Sequence, residues 1–262
     1  MDRDTRQRVA LDAPLGAHLL QPDSQVIERP GWYQVLTPSV KDGALNEVVR
    51  CQELEGRAPA EVVAAEVARY GALGLDLKWC VGPAAARGLH EALAQAGFGG
   101  WWARAMAITP SADQTPSAPG VSLEEVRASV GLGDYAAVVA EGWKQTPERA
   151  AADAERALAA GTHRLFLARL EGRPAGAAAV FLRPSSEGGA GYLTGAVVLP
   201  AARKRGLYRA LVSARLAALA AAGVPLATTQ ARDHSSAPIL KRLGFETLFQ
   251  VRVFLRPAGP PL

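Results

Sequence analysis

The second half of the chain alternates short apolar segments with two different periods. Residues 163–182, HRLFLARLEGRPAGAAAVFL, alternate on either side of the turn residues EGRP, which predicts a β-hairpin. Further strands are predicted at 191–200, 225–231 and 247–255, and helices at 207–223 and 235–245. This order of hairpin, strand, helix, strand, helix and strand predicts an α/β fold with a central mixed sheet covered by helices.

The first half repeats part of this order. Residues 58–74 take the place of the long helix, 76–82 that of the strand after it, and 89–108 that of the last helix and final strand. Both copies contain a Gly-Phe pair between that last helix and strand, Gly97-Phe98 and Gly244-Phe245. Because each step occurs twice in the same order, we expect two related domains.

A segment rich in Pro and Ser separates the two copies. Residues 109–120, TPSADQTPSAPG, have almost nothing to bury and are interpreted as an interdomain linker. Ser122 and Glu125 then have the spacing of a capping box, which predicts that a helix begins there. The expected organisation is a domain at 1–108, the linker at 109–120, a domain at 121–256 and a disordered tail at 257–262.

Composition and charge narrow the classes of function. The 262 residues are 49% hydrophobic and 21% charged, which is typical of a soluble globular protein. The net charge is +4, but outside 203–209 the basic residues are scattered, which disfavours a nucleic-acid partner. With only two cysteines and no apolar core in the opening MDRDTRQRVA, we expect a reduced, cytoplasmic protein. The longest apolar run, 216–227, contains Gly and Pro and is too short to span a membrane, so no membrane partner is expected.

One basic loop stands out at a junction of strand and helix. Arg203, Lys204 and Arg205 precede Gly206 in the segment VLPAARKRGLYRAL, residues 198–211. The first N–H groups of a helix are free and carry partial positive charge, so this junction favours a phosphate, and three cations favour a pyrophosphate. A solvated basic turn is the alternative, but the position between strand and helix favours the anion site.

The corresponding loop of the first half has the opposite charge. It carries Glu53 and Glu55, with Arg57 as its one basic residue, so we do not expect it to hold a polyanion. The two cysteines and four histidines show no zinc-ligand spacing, and no metal is expected.

On these features, residues 121–256 resemble the GNAT family, the Gcn5-related N-acyltransferases. The acetyl-CoA loop of that family has the pattern Arg/Gln-x-x-Gly-x-Gly/Ala, matched here by Arg203 and Gly206, with Tyr208 at the last position. A second landmark, a helix leading to Leu-Gly-Phe, is present as Leu243-Gly244-Phe245. Residues 20–108 resemble a degenerate copy of the same fold. The resemblance implies two tandem GNAT-like domains, each with a central twisted mixed sheet flanked by helices.

The resemblance also implies a reaction and a cofactor site. The chain would be an N-acyltransferase with acetyl-CoA as co-substrate, in which the amine of a small molecule or peptide attacks the thioester directly and backbone N–H groups stabilise the oxyanion. Val197, Val198 and Leu199 are assigned to the pantetheine arm and the acyl carbonyl. The pyrophosphate is assigned to Arg203, Lys204, Arg205, Gly206, Leu207 and Tyr208. The oligomeric state stays open, with a homodimer as one option.

The general acid and base remain unassigned. Leu240 occupies the position of the tyrosine acid common in the family, and the strand at 191–200 offers Thr194 where many relatives have a glutamate. Asp233 lies where relatives often carry an asparagine that contacts the cofactor. His234 is chemically suited to be a base, but a surface role is an equal alternative. The alternative function is therefore an inactive acyl-CoA-binding pseudoenzyme, acting as a sensor or as a subunit of a partner.

The acceptor pocket is expected around DYAAVVAEGWKQTPE, residues 134–148. Tyr135 and Trp143 have a spacing that would place them on one helix face, for which core packing is the alternative. Glu141 would attract a cationic amine, although an isolated glutamate is commonly a solvated charge. The identity of the acceptor is not determined by these residues.

Overall fold

The computed structural model describes residues 1–112, 118–183 and 189–259, and these ranges contain seven α-helices and eleven β-strands. The helices are α1 (Arg3–Asp12), α2 (Pro59–Ala72), α3 (Leu89–Gln95), α4 (Leu132–Trp143), α5 (Pro147–Ala160), α6 (Leu207–Ala221) and α7 (Ser236–Arg242). The strands are β1 (Gln25–Arg29), β2 (Trp32–Leu36), β3 (Glu47–Cys51), β4 (Leu77–Val81), β5 (Gly99–Ile108), β6 (Val121–Val126), β7 (His163–Leu170), β8 (Arg173–Arg183), β9 (Ala190–Val198), β10 (Ala227–Arg232) and β11 (Glu246–Arg256). Within the described ranges, no helix is long and apolar enough to cross a membrane.

The chain forms two compact units, each assembled from segments that are distant in sequence. The N-terminal unit comprises Pro14–Ala105, Ala231–Ala237 and Thr247–Leu262. The C-terminal unit comprises Met1–Ala13, Met106–Gln230 and Pro238–Glu246. Both are built on a mixed sheet, and the α/β fold class expected from the sequence is confirmed.

The sheet of the N-terminal unit has the strand order β1-β2-β3-β4-β11-β5. Strands β1, β2 and β3 pair antiparallel, β3 and β4 pair parallel, and β11 pairs antiparallel with β4. The core is aromatic: Trp32 and Trp79 are fully buried with their ring centroids 5.8 Å apart in an edge-to-face arrangement, and Phe98 and Phe254 join the same cluster. Such pairs add directional stabilisation to the burial of apolar area.

The sheet of the C-terminal unit has the order β10-β9-β8-β7-β6, and α4, α5 and α6 pack against it. Strand β8 contributes alanines and Gly176 to this core, and these small residues let helices approach the sheet closely. A Cβ atom on Gly176 would lie 3.2 Å from Leu211 of α6, and Gly191 of β9 is in close contact with Leu219. The Ala-rich composition therefore reflects close packing of helix on sheet.

The hairpin predicted at 163–182 is confirmed as β7 and β8. Glu171 and Gly172 form its two-residue turn, with φ angles of 52° and 81°. Positive φ at both central residues is the geometry whose twist matches that of the flanking strands. The helices predicted at 207–223 and 235–245 and the strands predicted around them are also confirmed.

The helix predicted to begin at Ser122 is wrong. Residues Val121–Val126 form β6, which pairs antiparallel with β7 from Val121 opposite Leu170 to Val126 opposite Leu165. Glu125 accepts two hydrogen bonds from the Arg164 guanidinium, at 2.7 Å from Nε and 2.7 Å from Nη2. The segment 121–126 has the spacing of a capping box, but its exposed and partly buried side chains also alternate as in an edge strand. The ion pair between Glu125 and Arg164 of the neighbouring strand favours the strand.

The two compact units interleave in sequence, and the domain division at 1–108, 109–120 and 121–256 stays a prediction. The final strand β11 lies in the N-terminal unit from Thr247 onward, whereas α1 lies in the C-terminal unit, where Arg3 forms a 3.1 Å ion pair with Glu246. An amphipathic strand fits either of two similar sheets, so its pattern does not reveal which one it joins. Residues 113–117 of the expected linker and 260–262 of the expected tail lie outside the described residues.

Candidate functional site

The basic loop lies between the end of β9 and the start of α6. After Val198 the chain makes a 3₁₀ turn over Pro200–Ala202, and Gly206 is the N-cap of α6 in the left-handed region. The first helical hydrogen bond of α6 runs from Ala210 N–H to Gly206 O at 3.0 Å. A glycine cap has no side chain that could accept a hydrogen bond from the first turn. The N-terminus of a 15-residue helix thus faces the loop without a side-chain cap, which favours an anion.

Two independent constraints require glycine at 206. Its φ of 86° is strained for any other residue. A Cβ atom there would also lie 2.9 Å from the Cβ of Ala118, closer than such atoms normally approach. The sequence pattern requires glycine at this position, and the structure explains the requirement by the φ angle and by the contact with Ala118.

The three cations of the loop are all exposed and have different neighbours. Arg203 donates from Nε to the carbonyl of Val198 at 3.3 Å. Lys204 has a left-handed backbone with φ of 63°. Arg205 forms a 3.1 Å ion pair with Glu171 in the β7–β8 turn. The loop therefore concentrates positive charge beside the helix N-terminus, and one acidic residue partly offsets it.

The parallel strands β9 and β10 are in register at only two positions. Gly191 pairs with Ala227 and Tyr192 with Thr228, whereas β9 continues to Val198. On its other side β9 stays paired with β8 as far as Gly176 opposite Val198. After these two pairs the Thr229 hydroxyl donates to Leu193 O at 2.9 Å, and no registered pair follows in the described residues. We refer to the space beside β9 from Thr194 onward, on the β10 side, as the opening.

The direction of the backbone groups distinguishes Val198 from Leu199. Leu199 donates its N–H to Ala175 O at 2.9 Å, on the β8 side. Successive residues of a strand direct their backbone groups to opposite sides, so those of Val198 point toward the β10 side. The structure thus brings Val198 to the opening, engages the N–H of Leu199 within the sheet, and buries the Val197 side chain.

A β-bulge interrupts β9 just before these residues. Thr194 pairs with Ala179 and Val197 with Ala177, so Gly195 and Ala196 together stand opposite Ala178. Gly195 has a φ of 60°. Bulges redirect the strand that contains them and are frequent beside functional sites. The bulge was not predicted from the sequence, although a glycine inside an apolar strand is a signal for one.

Comparison with known proteins assigns this region to a family. Residues 133–245 match the sequence model of the Acetyltransferase (GNAT) family. This segment is similar to a GNAT domain. No curated protein matches the chain significantly.

Solved structures extend the likeness to the whole chain. A GCN5-related N-acetyltransferase from Kribbella flavida has a TM-score of 0.62 at 18% identity, over 98% of this chain and 95% of that one. A functionally unknown conserved protein from Staphylococcus epidermidis has a TM-score of 0.65 at 15% identity, over 92% and 96%. A tandem GNAT protein from the clavulanic acid biosynthesis pathway has a TM-score of 0.62 at 19% identity, over 96% and 88%. These likenesses show that the fold is that of tandem GNAT proteins.

Three of the positions considered for a general acid or base have defined surroundings in the structure. Leu240 is buried in α7 and contributes no acid. The carboxylate of Asp233 lies 2.6 Å from Arg104 Nε, an ion pair within the N-terminal unit. His234 is exposed, and α7 begins at Ser236.

The expected acceptor helices are α4 and α5, and α4 approaches β9 closely. Gly142 contacts Val197 so tightly that a Cβ atom there would overlap the valine side chain. Tyr135 is buried, and burial raises the pKa of its phenol. Trp143 is 50% exposed, and Glu141 is exposed. The last turn of α4 therefore reaches the strand assigned to the acyl group, with Trp143 open to solvent there.

The N-terminal unit has a counterpart of the strand pair but not of the loop. β3 and β4 are in register only at Glu47 opposite Lys78 and Val48 opposite Trp79. Ala86 donates its N–H to the carbonyl of Cys51, the last residue of β3, at 3.1 Å. The Trp79 side chain is fully buried in the core.

The loop before α2 is acidic in the structure as in the sequence. Glu55, with a φ of 53°, forms a 3.1 Å ion pair with Arg29. The N-cap Ala58 is followed by Pro59, and Glu61 lies in the first helical turn. A negative charge at a helix N-terminus occupies the position that a bound anion would take.

A buried group of charges lies at the start of β3. Glu47 contacts His18 Nε2 at 3.0 Å and Lys78 Nζ at 2.8 Å, and Cys80 donates from Sγ to it at 2.9 Å. Burial alone would raise the pKa of Glu47, but Lys78 and His18 lower it to about 2. Burial and Glu47 together raise the pKa of Cys80. No group of three His, Cys, Asp or Glu side chains among the described residues has a metal-binding arrangement.

Proposed function

We propose that this chain is an N-acyltransferase that transfers the acyl group of acetyl-CoA to a primary amine of a small molecule or peptide. The observation that carries the proposal is the conjunction of the glycine-capped N-terminus of α6 with the opening between β9 and β10. The N-terminus of α6 accepts a diphosphate, and the opening beside β9 accepts an extended arm that contains amide groups. Coenzyme A carries both groups in a single molecule.

The diphosphate binds at the N-terminus of α6. Backbone N–H groups of Gly206, Leu207 and Tyr208 face it, and Arg203, Lys204 and Arg205 add full charges at the rim. Arg205 leaves Glu171 for the phosphate, because a diphosphate carries more charge than one carboxylate. Tyr208 stands where Gly or Ala is common in the family, and its side chain sets the edge of this site.

The pantetheine arm lies along β9 as an additional strand would. The exposed Arg203 side chain, which donates to the carbonyl of Val198 at 3.3 Å, moves to the diphosphate, and the backbone groups of Val198 pair with the amides of the arm. The thioester then lies near Val197, beside the bulge at Gly195. The N–H of Leu199 donates to Ala175 O, so this group does not pair with the arm.

The reaction is a direct displacement. The lone pair of the amine attacks the thioester carbon, the C–S bond breaks, and the amide forms while the electron pair leaves on the CoA thiolate. The proton lost by the amine passes to water, because Asp233 is engaged by Arg104 and no carboxylate is proposed as base. A thiol with a pKa of about 8.5 can leave as a thiolate without a general acid. The absence of a tyrosine acid at Leu240 therefore slows the reaction but does not prevent it. Backbone N–H groups of β9 stabilise the oxyanion.

The N-terminal unit is proposed to bind no acyl-CoA. The carbonyl of Cys51, at the end of the corresponding strand, already accepts from Ala86, and the loop before α2 carries Glu53 and Glu55. We propose a structural role for this unit. The cytoplasm, where acetyl-CoA is available, is the proposed location.

Turnover distinguishes this proposal from the inactive acyl-CoA-binding alternative. Purified protein is mixed with acetyl-CoA and a panel of primary amines, and free CoA thiol is measured with a chromogenic disulfide. The proposal expects release of CoA that depends on the amine and is lost in Gly206→Asp. Acetyl-CoA binding without amine-dependent release for any class of amine would favour the inactive reading.

A further inference from the structure

Arg215 is a buried cation beneath the bulge of β9. It lies on α6 with 2% of its surface exposed, among residues that otherwise build an apolar core. Its Nε donates to Leu211 O at 3.0 Å, and its Nη1 lies 3.2 Å from Ala179 O and 3.5 Å from Thr194 O. Ala179 and Thr194 are the registered pair that immediately precedes the bulge. One guanidinium group therefore joins the helix and both strands at the point where the ladder becomes irregular.

Arg215 is held by carbonyl groups and not by a carboxylate in the part of the chain that the structure describes. Burial lowers its pKa to about 10, and the phenols of Tyr208 and Tyr135 act in the opposite direction. The group still carries its charge at neutral pH. A buried charge is costly unless it is paired and hydrogen-bonded, and here backbone carbonyls supply the partners. A leucine would fill this core position without that cost.

We propose that Arg215 is a positioning residue that fixes the β9 bulge and thereby sets the direction of Val197 and Val198 for the thioester. This inference rests on the proposed function of the same site. Arg215 acts through the strand and does not itself touch the substrate. The geometry that carries it is the contact of Nη1 with one carbonyl from each strand beside the bulge.

The consequence of losing the bulge follows from the period of a strand. With the bulge, Val197 stands opposite Ala177. In a regular ladder, Ala196 would take that place and Val197 would stand opposite Gly176. A shift of one residue turns every side chain to the other face. The close contact between Val197 and Gly142 would be lost, and the backbone groups of Val198 would turn from the opening toward β8.

The test compares Arg215→Met with Arg215→Lys. Methionine keeps length and apolar volume but removes all donors, whereas lysine keeps the charge and can donate to the strand carbonyls. Hydrogen exchange is measured for peptides covering 176–180 and 192–198, without ligand. We expect faster exchange there in Arg215→Met, with the peptide covering 207–212 unchanged, and partial recovery in Arg215→Lys.

The kinetic arm measures kcat and KM separately, with active molecules counted by CoA titration. The diphosphate loop stays intact but the pairing of Val198 with the arm is disturbed, so we expect Kd for CoA to weaken by no more than about 10-fold, whereas kcat per binding site falls at least about 10-fold in Arg215→Met, a loss typical of a misplaced reacting group. Arg215→Lys should recover part of kcat. A structural role alone would lower Tm and the yield of folded protein but leave kcat per binding site unchanged.

The outcomes separate the two proposals. Unchanged exchange at 192–198 in Arg215→Met, or unchanged kcat per binding site, would overturn the positioning role. Should Arg215→Met fail to fold, Arg215→Lys and Arg215→Gln give the same readouts with a polar side chain retained, and normal exchange and kcat in both would overturn it. Failure of the parent protein to release CoA with any amine would instead contradict the proposed function, and the exchange data would still decide whether Arg215 holds the bulge.

Discussion

Ala86 N–H lies 3.1 Å from the carbonyl oxygen of Cys51, at the end of the strand in the N-terminal unit that corresponds to β9. This hydrogen bond joins two backbone groups at the strand end, whereas at the end of the corresponding strand of the C-terminal unit the carbonyl of Val198 accepts a 3.3 Å hydrogen bond from the exposed Arg203 side chain. The two units share a fold and a strand pair with two registered positions, but they differ in what occupies the end of the strand and in the charge of the following loop.

Gly206→Asp should abolish acetyl-CoA binding. The substitution forces a side chain into a left-handed conformation against Ala118 and places a negative charge where the diphosphate binds, so we expect at least about 100-fold weaker binding by titration calorimetry. Gly223→Asp is the matched control, because Gly223 follows the other end of α6 with a φ of 68° and open space around it. Both variants carry a backbone cost of about 1–2 kcal/mol, but only the first should lose the ligand. Normal affinity in a folded Gly206→Asp protein would remove the basis of the site.

Arg203→Glu should weaken binding of acetyl-CoA by about 10- to 100-fold, the range for loss of charge-assisted hydrogen bonds. The effect should shrink as salt concentration rises, since the arginine is exposed. Arg57→Glu, in the corresponding loop of the N-terminal unit, should leave Kd unchanged. Equal losses in the two variants would indicate a general effect of net charge.

Glu171→Gln should tighten binding of acetyl-CoA by about 2-fold. The substitution removes the carboxylate that holds Arg205 at 3.1 Å and frees that cation for the diphosphate. The gain is small because exposed ion pairs contribute about 0.2–1 kcal/mol. Glu55→Gln breaks another exposed ion pair of 3.1 Å, to Arg29, and should not alter Kd. Weaker binding in Glu171→Gln would mean that Glu171 orders the loop.

Glu47→Gln should destabilise the N-terminal unit by about 3 kcal/mol at neutral pH, as removal of one partner of a buried ion pair does. The pKa of Glu47 in the folded protein is about 2, below its ordinary value of 4.5. Its contribution is therefore complete above pH 4.5 and is lost as the pH falls toward 2, so the difference from the parent should narrow over that window.

Urea unfolding followed by tryptophan fluorescence measures this difference, because the buried Trp32 and Trp79 report on the same unit. The exposed Glu53→Gln is the control and should be neutral. A difference that stays constant from pH 7 to pH 3 would contradict the assignment of the charge to Glu47.

The sequence predicted the elements whose signals are local. The turn at Glu171 and Gly172, the helix after Gly206 and the Gly-Phe pairs all depend on residues adjacent in the chain, and the structure contains each of them. The β6 segment was misassigned because Ser122 and Glu125 fit a helix cap as well as an edge strand, and the choice depends on Arg164, which is distant in sequence.

The features that the sequence did not predict depend on partners far along the chain. The pairing of β11 with β4 selects one of two similar sheets, and the periodicity of the strand is the same in both. The bulge at Gly195 requires the register of β8. Arg215 lies in an Ala- and Leu-rich helix whose pattern gives no reason for a buried cation, and its role depends on the carbonyls of Ala179 and Thr194.

The most direct measurement is isothermal titration of the purified parent protein with acetyl-CoA. We predict one site per chain, because the helix that follows the strand pair begins with a glycine cap at Gly206 in the C-terminal unit and with Ala58 and an acidic first turn in the N-terminal unit. No binding, or two sites per chain, would contradict this prediction.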